Sequence, residues 1–600
     1  MRRKISTVWS EKLKNSQQAV LPLSDYPRPQ MERDQWMNLN GYWDYTIISS
    51  TNETCGRILV PFAVECSLSG VGQSLQPDEI LIYSRNFRIP EDWEGSRIIL
   101  NFEAVDYDCR CSINGVDSGS HRGGYLPFSF DITDHLIPFG LNEIILSVKD
   151  PSDAGFQQRG KQVLNPGQIY YTATSGIWQT VWLEPVSSVN YIHRIFIYPD
   201  LNNHKAIFRV ETADEAEVSI LISKSGRTVA EASGRSSREL TAVVVNPEAW
   251  SPEKPVLYNV KITILNDDSV LDRVFSYFAF RTIEVNEDEN GKKRIFLNGR
   301  PVFLHAPLDQ GYWPESGMTP PSDEAIIFDI SETKALGFNC TRKHIKVEPR
   351  RWYYHADRLG LMVMQDAVSG GRNGVGRMGI NLLIGMDSGH RRDNNASAYK
   401  RTGRIDPGQR ILFERELEAM INHLGNHHSI IMWIPFNEAW GQFDSMRIAD
   451  SVRAIDASRL IDPVSGWWDQ GGGDFRSRHT YSIKLKIPPI QDKRIYFISE
   501  YGGYNLQVPG HLWDEERVFG YKKEGSENSL EASYTNLIRR QLIPLIKHGL
   551  SAAVYTQLTD VEIETNGFFT YDRKVLKINK EQVKSLNDEI FAEFNRLAGC

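Results

Sequence analysis

The chain has 600 residues, which is too long for one compact domain, so about three domains are expected. Its composition is that of a soluble globular protein, with 41% hydrophobic and 24% charged residues. The net charge of -8 argues against non-specific binding to nucleic acid or to an acidic membrane surface, and no apolar run reaches the ~18 residues of a membrane-spanning helix.

Residues 1–185 are predicted to form a β-sandwich of the jelly-roll type. The stretch RIILNFEAVDYDCRCSING, from Arg97 to Gly115, alternates apolar and polar residues and ends in Asn-Gly, a strong hairpin signal. The stretches LNEIILSVKDPSD and GIWQTVWLEPV repeat this alternation. Short strands separated by Gly, Pro and Asn turns, without a long helical pattern, are typical of sandwiches.

Residues 186–282 continue the β pattern on a smaller scale. Short alternating runs follow one another here: AIFRVET, EAEVSILIS, TAVVV, YNVKITIL and RVFSYFAFRTIEV. About 100 residues with roughly seven strands predict an immunoglobulin-like sandwich.

Residues 283–600 change to strands that alternate with helical patterns. The predicted strands, in chain order, are VFLHAPLD, FNCTRKH, LMVMQD, IIMWIPFNE, LIDPVSG, SRHTYS, IYFISEYG and AAVYTQLTD. Helical segments such as SDEAIIFDISETKALG and ILFERELEAMINHLGN lie between them, the second after an Asp406-Pro407 start signal. This order predicts a (β/α)8 barrel, so the whole chain is predicted to be a multidomain β plus α/β protein.

The carboxyl ends of the predicted barrel strands carry many polar side chains. In barrels of this kind the reactive groups gather at these ends. Glu438 ends strand 4 and Glu500 ends strand 7, three places apart around the ring, which allows the two side chains to face each other. The other polar side chains at strand ends are Arg342, Lys343, His344, Gln365, Asp366, Asn437, His479, Tyr481, Gln557 and Asp560.

Two facing carboxylates suit the hydrolysis of glycosides. One carboxyl group, with a raised pKa, protonates the leaving oxygen, while the other stays ionised and attacks the anomeric carbon. A separation of about 5–5.5 Å would predict retention of configuration through a covalent glycosyl-enzyme. The alternatives are ion pairs with loop arginines and a metal site, but no HExxH motif occurs and the adjacent His427 and His428 cannot easily face one ion.

The chain resembles glycoside hydrolase family 2, which includes β-galactosidases, β-glucuronidases and β-mannosidases. GNHHSIIMWIPFNEAWG resembles the family's acid/base signature, and ISEYGG resembles its nucleophile segment. LGFNCTRKHIKVEPRRWYYHADRLGLMVMQD and YPRPQMERDQWMNLNGYWDY resemble two further segments, so the resemblance covers essentially the whole chain. It implies a retaining exo-β-glycosidase acting by double displacement, with Glu438 as general acid/base and Glu500 as nucleophile.

The resemblance also implies contacts for the other candidates. Asn437 would donate a hydrogen bond to the sugar 2-hydroxyl, and Arg342 would orient Glu500 and keep its pKa low. Tyr481 would hydrogen-bond Glu500. The remaining predicted substrate contacts are His344, Asp309, Asp366, Trp467, His479 and Gln557.

Strands 2, 3 and 8 depart from the family's pattern. The family's second strand often reads Arg-x-x-His-Tyr-Pro, whereas Ile345 stands at the His position here and His344 comes one residue earlier. Strand 3 ends in Gln365-Asp366 instead of Asp-Glu, and Gln557 stands where an aromatic residue is common. Since these carboxylates and histidines contribute to metal binding in some members, no cofactor and no required metal are expected.

A further departure bears on the sugar. Glucuronidases carry an Asn-x-Lys pair that holds the uronate carboxylate, and Glu564 and Asn566 stand there in this chain. Because a glutamate would repel a uronate, we expect a neutral sugar, with galactose the first candidate. The alternatives are a β-hexuronidase (glucuronidase or galacturonidase), a β-mannosidase, and a carbohydrate-binding protein with an inactive barrel.

The expected partner is a carbohydrate, without nucleic acid or membrane, and analogy with the family suggests a homo-oligomer. The N-terminal stretch MRRKISTVWSEKLKNSQQ is basic but no apolar segment follows it, so a cytoplasmic location is expected, with an exported form whose signal was removed as the alternative. The Gly-rich loop from Ser369 to His390 is predicted to line the rim of the pocket.

Overall fold

The computed structural model describes residues 5–15, 21–267, 269–372, 391–487 and 492–599. After a short helix, Val8–Asn15, two antiparallel sheets pack into a sandwich around an apolar core that includes Trp43, Leu100 and Val181. In spatial order the larger sheet consists of Glu53–Val60, Gly41–Ile48, Ile80–Phe87, Asn142–Lys149, Asp108–Ile113 and Val116–Arg122. The smaller sheet consists of Met37–Asn38, Val181–Val186, Arg97–Phe102 and Phe128–Asp131.

The predicted hairpin is present in the larger sheet. Asn114 and Gly115 join its two strands with φ angles of +52° and +80°. A two-residue turn of type I′ requires positive φ at both central residues, which Asn-Gly adopts most readily. The local sequence therefore fixes the register of this hairpin.

A second sandwich follows along the chain. Its sheets, in spatial order, are Ile192–Asp200, Lys205–Thr212 and Leu240–Val243 on one side, and Arg227–Arg235, Glu217–Lys224, Tyr258–Asn266 and Ser269–Phe278 on the other. This arrangement matches the predicted immunoglobulin-like sandwich, with alternate residues such as Val218, Ile220 and Ile222 buried in its core. The limits between residues 185 and 186 and between 282 and 283 remain our proposal for the domain boundaries.

A small antiparallel sheet closes the amino-terminal end of the barrel. It consists of Ile283–Glu287, Lys293–Leu297 and Arg300–Val302. Its Ile295 packs in one cluster with Leu304 and Met432, which belong to the barrel. The apolar barrel interior is thereby covered at this end, and the polar strand ends face the opposite side.

The predicted barrel is present. Its strands, numbered in chain order, are β1 Leu304–Asp309, β2 Cys340–Lys343, β3 Met362–Asp366, β4 Ile430–Ile434, β5 Leu460–Ile461, β6 Phe475–Thr480, β7 Ile495–Gly502 and β8 Leu550–Thr556. Parallel ladders join all neighbouring pairs except β5 and β6. In the described ranges after β1, the α-helices are Asp323–Ala335, Arg350–Leu359, Ala396–Thr402, Pro407–Leu424, Ser445–Ile455, Glu527–Leu537, Ile543–Ile546 and Lys580–Ala598, with a π-helical turn at Ile538–Leu542.

The predicted helix start at Asp406-Pro407 is confirmed, because the Asp406 side chain accepts a hydrogen bond from the Gly408 amide and Pro407 begins the helix. Ser322 starts the helix after β1 in the same way, by accepting from the Ala325 amide. Within the described ranges, no helix combines the length and the apolar character needed to span a membrane.

Side chains connect β5 to β6 in place of a backbone ladder. The Ser477 hydroxyl lies 2.7 Å from the Val464 carbonyl oxygen and 3.0 Å from Asp462 Oδ1. The other Asp462 oxygen is buried without a hydrogen-bond partner in the described part of the chain. Because this carboxyl group is removed from water, burial raises the pKa of Asp462 to about 7.

We expect Asp462→Asn to change how stability depends on pH. The folded pKa of about 7 exceeds the unfolded value, so the folded state binds the proton more tightly. The resulting stability is fully present below the unfolded pKa and is lost as the pH rises towards the folded pKa. Since asparagine does not titrate, the thermal midpoint of the variant minus that of the wild type should increase between pH 5 and pH 8.

The exposed Gln76→Ala, which changes no titratable group, provides the control, and its difference from the wild type should stay flat over the same range. A difference for Asp462→Asn that stays flat or falls as the pH rises would contradict the raised pKa.

Candidate active site

The chain turns sharply where β4 delivers its carboxylate. The strand is fully buried, as predicted for the apolar run Ile430–Ile434, and Pro435 interrupts its ladder. Glu438 and Ala439 both adopt left-handed φ angles, of +52° and +58°, and the Glu438 amide donates to the Ser465 carbonyl at 2.9 Å. Left-handed backbone is unfavourable for residues with a Cβ atom, and such strain gathers at functional sites. The turn places the Glu438 side chain in the mouth of the barrel.

Arg342, in β2, connects residues at the carboxyl ends of β3, β4 and β7. This fully buried guanidinium donates to both oxygens of Asp366, at 3.0 and 2.9 Å, and to the Ser499 carbonyl. It also donates to Glu500 Oε1 at 3.1 Å and to Asn437 Oδ1 at 2.9 Å. Burial alone would lower the pKa of Arg342, but the neighbouring carboxylates raise it, so the cation is permanent. All five of its N–H groups are used to orient these residues.

The Arg342 bond also fixes the orientation of the Asn437 amide. Because Asn437 Oδ1 accepts from Arg342, the Nδ2 group points elsewhere, and no acceptor for it lies among the described residues. This leaves a hydrogen-bond donor directly next to Glu438, as a contact to the sugar 2-hydroxyl would require.

His479 lies between the two candidate carboxylates. Its Nδ1 is 2.8 Å from Glu438 Oε1 and 3.3 Å from Glu500 Oε2, and its Nε2 is 2.9 Å from the Ser465 hydroxyl. Gly466 permits this position, since a Cβ on it would come within 2.9 Å of the imidazole ring. A carboxylate oxygen of Glu438 and one of Glu500 lie within 4.8 Å of each other.

The charges around Glu438 determine its protonation in the free protein. Burial by itself would raise the pKa of Glu438, but the hydrogen bond and charge of His479, together with Lys161 and Arg342, lower it below the ordinary value. This is opposite to the raised pKa that a general acid needs. A bound sugar would therefore have to change the surroundings of Glu438 before it can donate a proton.

Glu500, the other candidate carboxylate, is held by a tyrosine that stacks on a second tyrosine. The Tyr481 hydroxyl donates to Glu500 Oε2, and its ring stacks on Tyr521 at a centroid distance of 3.8 Å. Burial, followed by the charge of Glu500, raises the pKa of Tyr481 far above its ordinary value, so the phenol stays a donor. Glu500 therefore accepts hydrogen bonds at both oxygens, from Arg342 and from Tyr481.

His344 and Asp366 form a supporting pair beside Arg342. His344 Nδ1 lies 2.7 Å from Asp366 Oδ2. Burial, with the charges of Lys161 and Arg342, lowers the pKa of His344 well below its ordinary value, so the neutral ring donates from Nδ1. Both Asp366 oxygens are engaged by Arg342 and His344, so Asp366 is placed to orient Arg342.

Three of the predicted substrate contacts occupy different surroundings. Asp309 accepts from Lys343 Nζ at 2.6 Å and from the Gly311 amide at 2.9 Å, within a buried ion cluster. Gln557 is fully buried and donates to Asn566 Oδ1 at 2.8 Å, so it is placed to act through Asn566. Trp467 is half-buried, and its ring centroid lies 6.1 Å from that of His479, at the mouth.

The N-terminal sandwich contributes a wall of the mouth that the sequence did not predict. We call residues 157–172 the wall segment; they include the two short parallel strands Gln162–Val163 and Tyr171–Thr172. The Gly160 amide donates to the Ser369 carbonyl at 2.9 Å, and the Thr172 amide donates to a Glu562 carboxylate oxygen at 2.7 Å.

The wall segment also brings Tyr171 and Lys161 to the barrel. The Tyr171 hydroxyl donates to Glu564 Oε2, and Asn566 donates to the other Glu564 oxygen at 3.0 Å. The charge of Lys161 reaches Glu438 and Glu564. Of the loop predicted to line the rim, residues 373–390 lie outside the described residues, while Ser369 and Gly370 contact the wall segment.

The same site could in principle hold a metal ion. Three ligand atoms lie within 4.8 Å of one another there, one each from Glu438, His479 and Glu500. A cation bound there would have to displace the proton that His479 Nδ1 shares with Glu438 and would share Glu500 with Arg342 and Tyr481. The hydrogen-bonded arrangement fits a carboxylate pair better than a ligand set, and the absence of a required metal stays a prediction.

The fold and the site define a three-domain barrel protein whose mouth holds a facing pair of glutamates. Models of glycosyl hydrolases family 2 match most of the chain: the sugar binding domain over residues 73–184, a second family model over 190–281, and the TIM barrel domain over 289–578. The chain belongs to glycosyl hydrolases family 2.

Relatives carry more than one activity in their names. A β-galactosidase of Thermoanaerobacter pseudethanolicus is 26% identical over 451 residues, covering 70% of this chain and 54% of the relative. A β-glucuronidase of Formosa agariphila is 23% identical over 406 residues, covering 62% of this chain and 37% of the relative. The chain therefore spans about half, or less, of the length of these relatives.

Solved structures match the fold over nearly the whole length. The β-D-glucuronidase of Dictyoglomus thermophilum superimposes with a TM-score of 0.72 at 18% identity, covering 94% of this chain and 98% of that one. A β-galacturonidase of Eisenbergiella tayi, bound to galacturonate, gives a TM-score of 0.69 at 18% identity, covering 95% and 99%. At this identity the likeness establishes the architecture and not the sugar.

Proposed function

We propose that the protein is a retaining exo-β-glycosidase that removes a terminal β-linked sugar. One observation carries the proposal: carboxylate oxygens of Glu438 and Glu500 lie within 4.8 Å of each other at the carboxyl ends of β4 and β7. This separation is close to the ~5–5.5 Å of retaining enzymes and well below the ~6.5–9.5 Å that leaves room for water in inverting ones. Family membership supports the same reaction.

In the first step Glu500 attacks the anomeric carbon and forms a glycosyl ester, while Glu438 protonates the departing oxygen. Arg342 and Tyr481 each donate a hydrogen bond to one Glu500 oxygen, so the carboxylate is held in a fixed orientation for attack. In the second step Glu438 takes a proton from water, which attacks the ester and releases the sugar with its original configuration. Asn437 Nδ2 donates to the 2-hydroxyl as positive charge develops on the ring.

Substrate binding raises the pKa of Glu438, as its role as general acid requires. A sugar seated between the carboxylates excludes water and draws Glu438 away from His479, which removes the main contact that lowers its pKa. Burial, the largest single influence, raises the pKa and then opposes only the charges of Lys161 and Arg342, which lower it. Once the glycosyl ester forms, the negative charge of Glu500 is gone, so the pKa of Glu438 falls and its carboxylate is ionised, ready to take a proton from water.

The wall segment supports exo action. It closes one side of the mouth by contacts to the ends of β3 and β8, through Ser369 and Glu562. A pocket closed on one side accepts the end of a glycan rather than its middle. The non-enzymatic alternative, a sugar-binding protein, does not account for two carboxylates held this close at an energetic cost.

For the sugar we propose a neutral hexose with galactose first, because Glu564 stands at the position where a uronate would need a cation. A β-hexuronidase is the second candidate, since Lys161 brings a cation to the same region. A β-mannosidase has the same catalytic requirements, with the 2-hydroxyl in the axial position.

A panel of aryl β-glycosides tests both the retaining glycosidase reaction and the choice of sugar. We expect the wild-type protein to hydrolyse the β-galactoside fastest, ahead of the glucoside, mannoside, glucuronide and galacturonide. Proton NMR of the first sugar released should show the β-anomer before mutarotation. An α-anomer as first product would overturn the retaining mechanism, and preference for a uronide would overturn the neutral sugar.

A further inference from the structure

Lys161 is a buried cation that has no direct partner within the described part of the chain. Its side chain comes from the wall segment of the N-terminal sandwich, and the residue is only 8% exposed. Among the described residues, no acceptor lies within hydrogen-bonding or ion-pair distance of its ammonium group, and its nearest aromatic neighbour is the Tyr171 ring, at 5.7 Å. A buried ammonium group normally pairs with an acceptor, because leaving it unpaired is unfavourable. The N–H groups of Lys161 can therefore donate to a ligand that enters the mouth.

The surroundings of Lys161 place it in the candidate active site. Its charge acts on Glu438, on His344 and on Glu564, which belong to β4, β2 and the segment after β8. The geometry agrees, because the ammonium group lies 5.7 Å from the ring of Tyr171, whose hydroxyl donates to Glu564. Glu564 is a carboxylate on which the charge of Lys161 acts, yet its two oxygens accept from Tyr171 and Asn566, and no ion pair joins it to Lys161 in the described part of the chain.

We propose that Lys161 binds a hydroxyl group of the terminal sugar and that Glu564, by balancing its charge, makes the site select a neutral sugar over a uronate. This rests on the proposed glycosidase function and adds a specificity determinant from outside the barrel. A charged donor strengthens a hydrogen bond to a hydroxyl oxygen. A uronate would gain attraction to Lys161 but lose a similar amount by repulsion from Glu564, Glu438 and Glu500.

The charges in the mouth support a neutral ligand. Arg342 is fully committed to Asp366, Glu500 and Asn437, so it offers nothing to a substrate carboxylate. Among the described residues, Lys161 is then a cation that no ion pair engages, beside the carboxylates of Glu438, Glu500 and Glu564. Adding a further negative charge to this buried set is unfavourable, whereas a hydroxyl group needs no compensation.

Lys161→Met tests the contact. We expect kcat/KM for the best neutral glycoside to fall roughly 10- to 100-fold, the scale of one hydrogen bond to a charged group. Against the deoxy sugar that lacks the contacted hydroxyl, wild type and variant should differ little. Lys161→Gln, which keeps a neutral donor, should lose less, and it answers the same question if Lys161→Met does not fold. The exposed Lys149→Met should match the wild type.

Glu564→Gln tests the balancing role. Removing this charge leaves Lys161 attractive to a carboxylate, so the ratio of kcat/KM for the uronide to that for the neutral glycoside should rise about 10-fold or more. The double variant Lys161→Met/Glu564→Gln should lose that gain.

The outcomes separate the two proposals. If wild type hydrolyses the panel but Lys161→Met lowers kcat/KM equally for every deoxy sugar, or not at all, the hydroxyl contact is wrong. If the uronide ratio does not rise in Glu564→Gln, the balancing role is wrong. If wild type hydrolyses no glycoside and Glu500→Gln behaves like it, the glycosidase function itself fails.

Discussion

Glu500→Gln is expected to abolish turnover, with a loss in kcat of at least ~10⁴-fold, the scale seen when a catalytic nucleophile is removed. Glutamine has the same shape, so its carbonyl oxygen can still accept from Arg342, which now binds Glu500 Oε1 at 3.1 Å. An amide cannot form the glycosyl ester, however, and the first step fails. Thermal unfolding of the variant should stay close to that of the wild type.

A trapping experiment makes this prediction specific to one residue. A 2-fluoro sugar with a good leaving group slows breakdown of the ester, so intact mass should show one sugar bound to the wild type and none to Glu500→Gln. Peptide mapping should place the sugar on the ISEYGG segment. Glu414→Gln, at a surface ion pair with Arg447, provides the matched control and should be labelled like the wild type. A fully active Glu500→Gln, or label on another residue, would remove Glu500 as nucleophile.

The sequence predicted the parts of the site that follow from barrel topology. Glu438, Glu500 and Arg342 each end or lie in a strand with a clear apolar pattern, and the ends of parallel strands meet at one side of a barrel. Nothing beyond the strand order was needed to bring them together. The jelly-roll and immunoglobulin-like sandwiches were predicted for the same reason, because period-two alternation and turn residues are local signals.

Side-chain direction at the strand ends could not be predicted. Gln557 and Asp309 come from strand ends as expected, yet Gln557 is fully buried against Asn566 and Asp309 is engaged by Lys343. A shift of one residue along a strand exchanges the mouth for the surrounding layer. The lowered pKa of Glu438 depends in the same way on the exact position of His479, which no sequence pattern gives.

Contacts between the N-terminal sandwich and the barrel could not be predicted from the sequence. Lys161 and Tyr171 belong to irregular chain with strands of only two residues each, so no periodicity marks them. Their place at the mouth results from docking of the first sandwich on loops after β3 and β8. The only available signal was indirect: Glu564 and Asn566 depart from the family's pattern, and Tyr171 and Lys161 are the groups that meet this altered segment.

Glu438→Ala is expected to slow hydrolysis by roughly 10²- to 10⁴-fold, the usual contribution of general acid–base catalysis. The loss should be greatest for poor leaving groups, which need the proton, and smallest for dinitrophenyl glycosides, which do not. With those activated substrates the glycosyl ester forms but waits for water, because the base is gone. Alanine also leaves a space beside His479 where the carboxylate was.

Sodium azide should fill that space and restore part of the rate, and the product decides the roles of the two glutamates. An anion in the place of Glu438 attacks the ester from the face opposite Glu500, so the product must be the β-glycosyl azide, which proton NMR identifies. Asn437→Ala, which removes a neighbouring donor but leaves the base, should not respond to azide. An α-glycosyl azide would mean direct displacement without an ester on Glu500, and the absence of any azide effect would remove Glu438 as the acid/base. The β-azide forms from this variant only if Glu438 is the acid/base and Glu500 is the nucleophile.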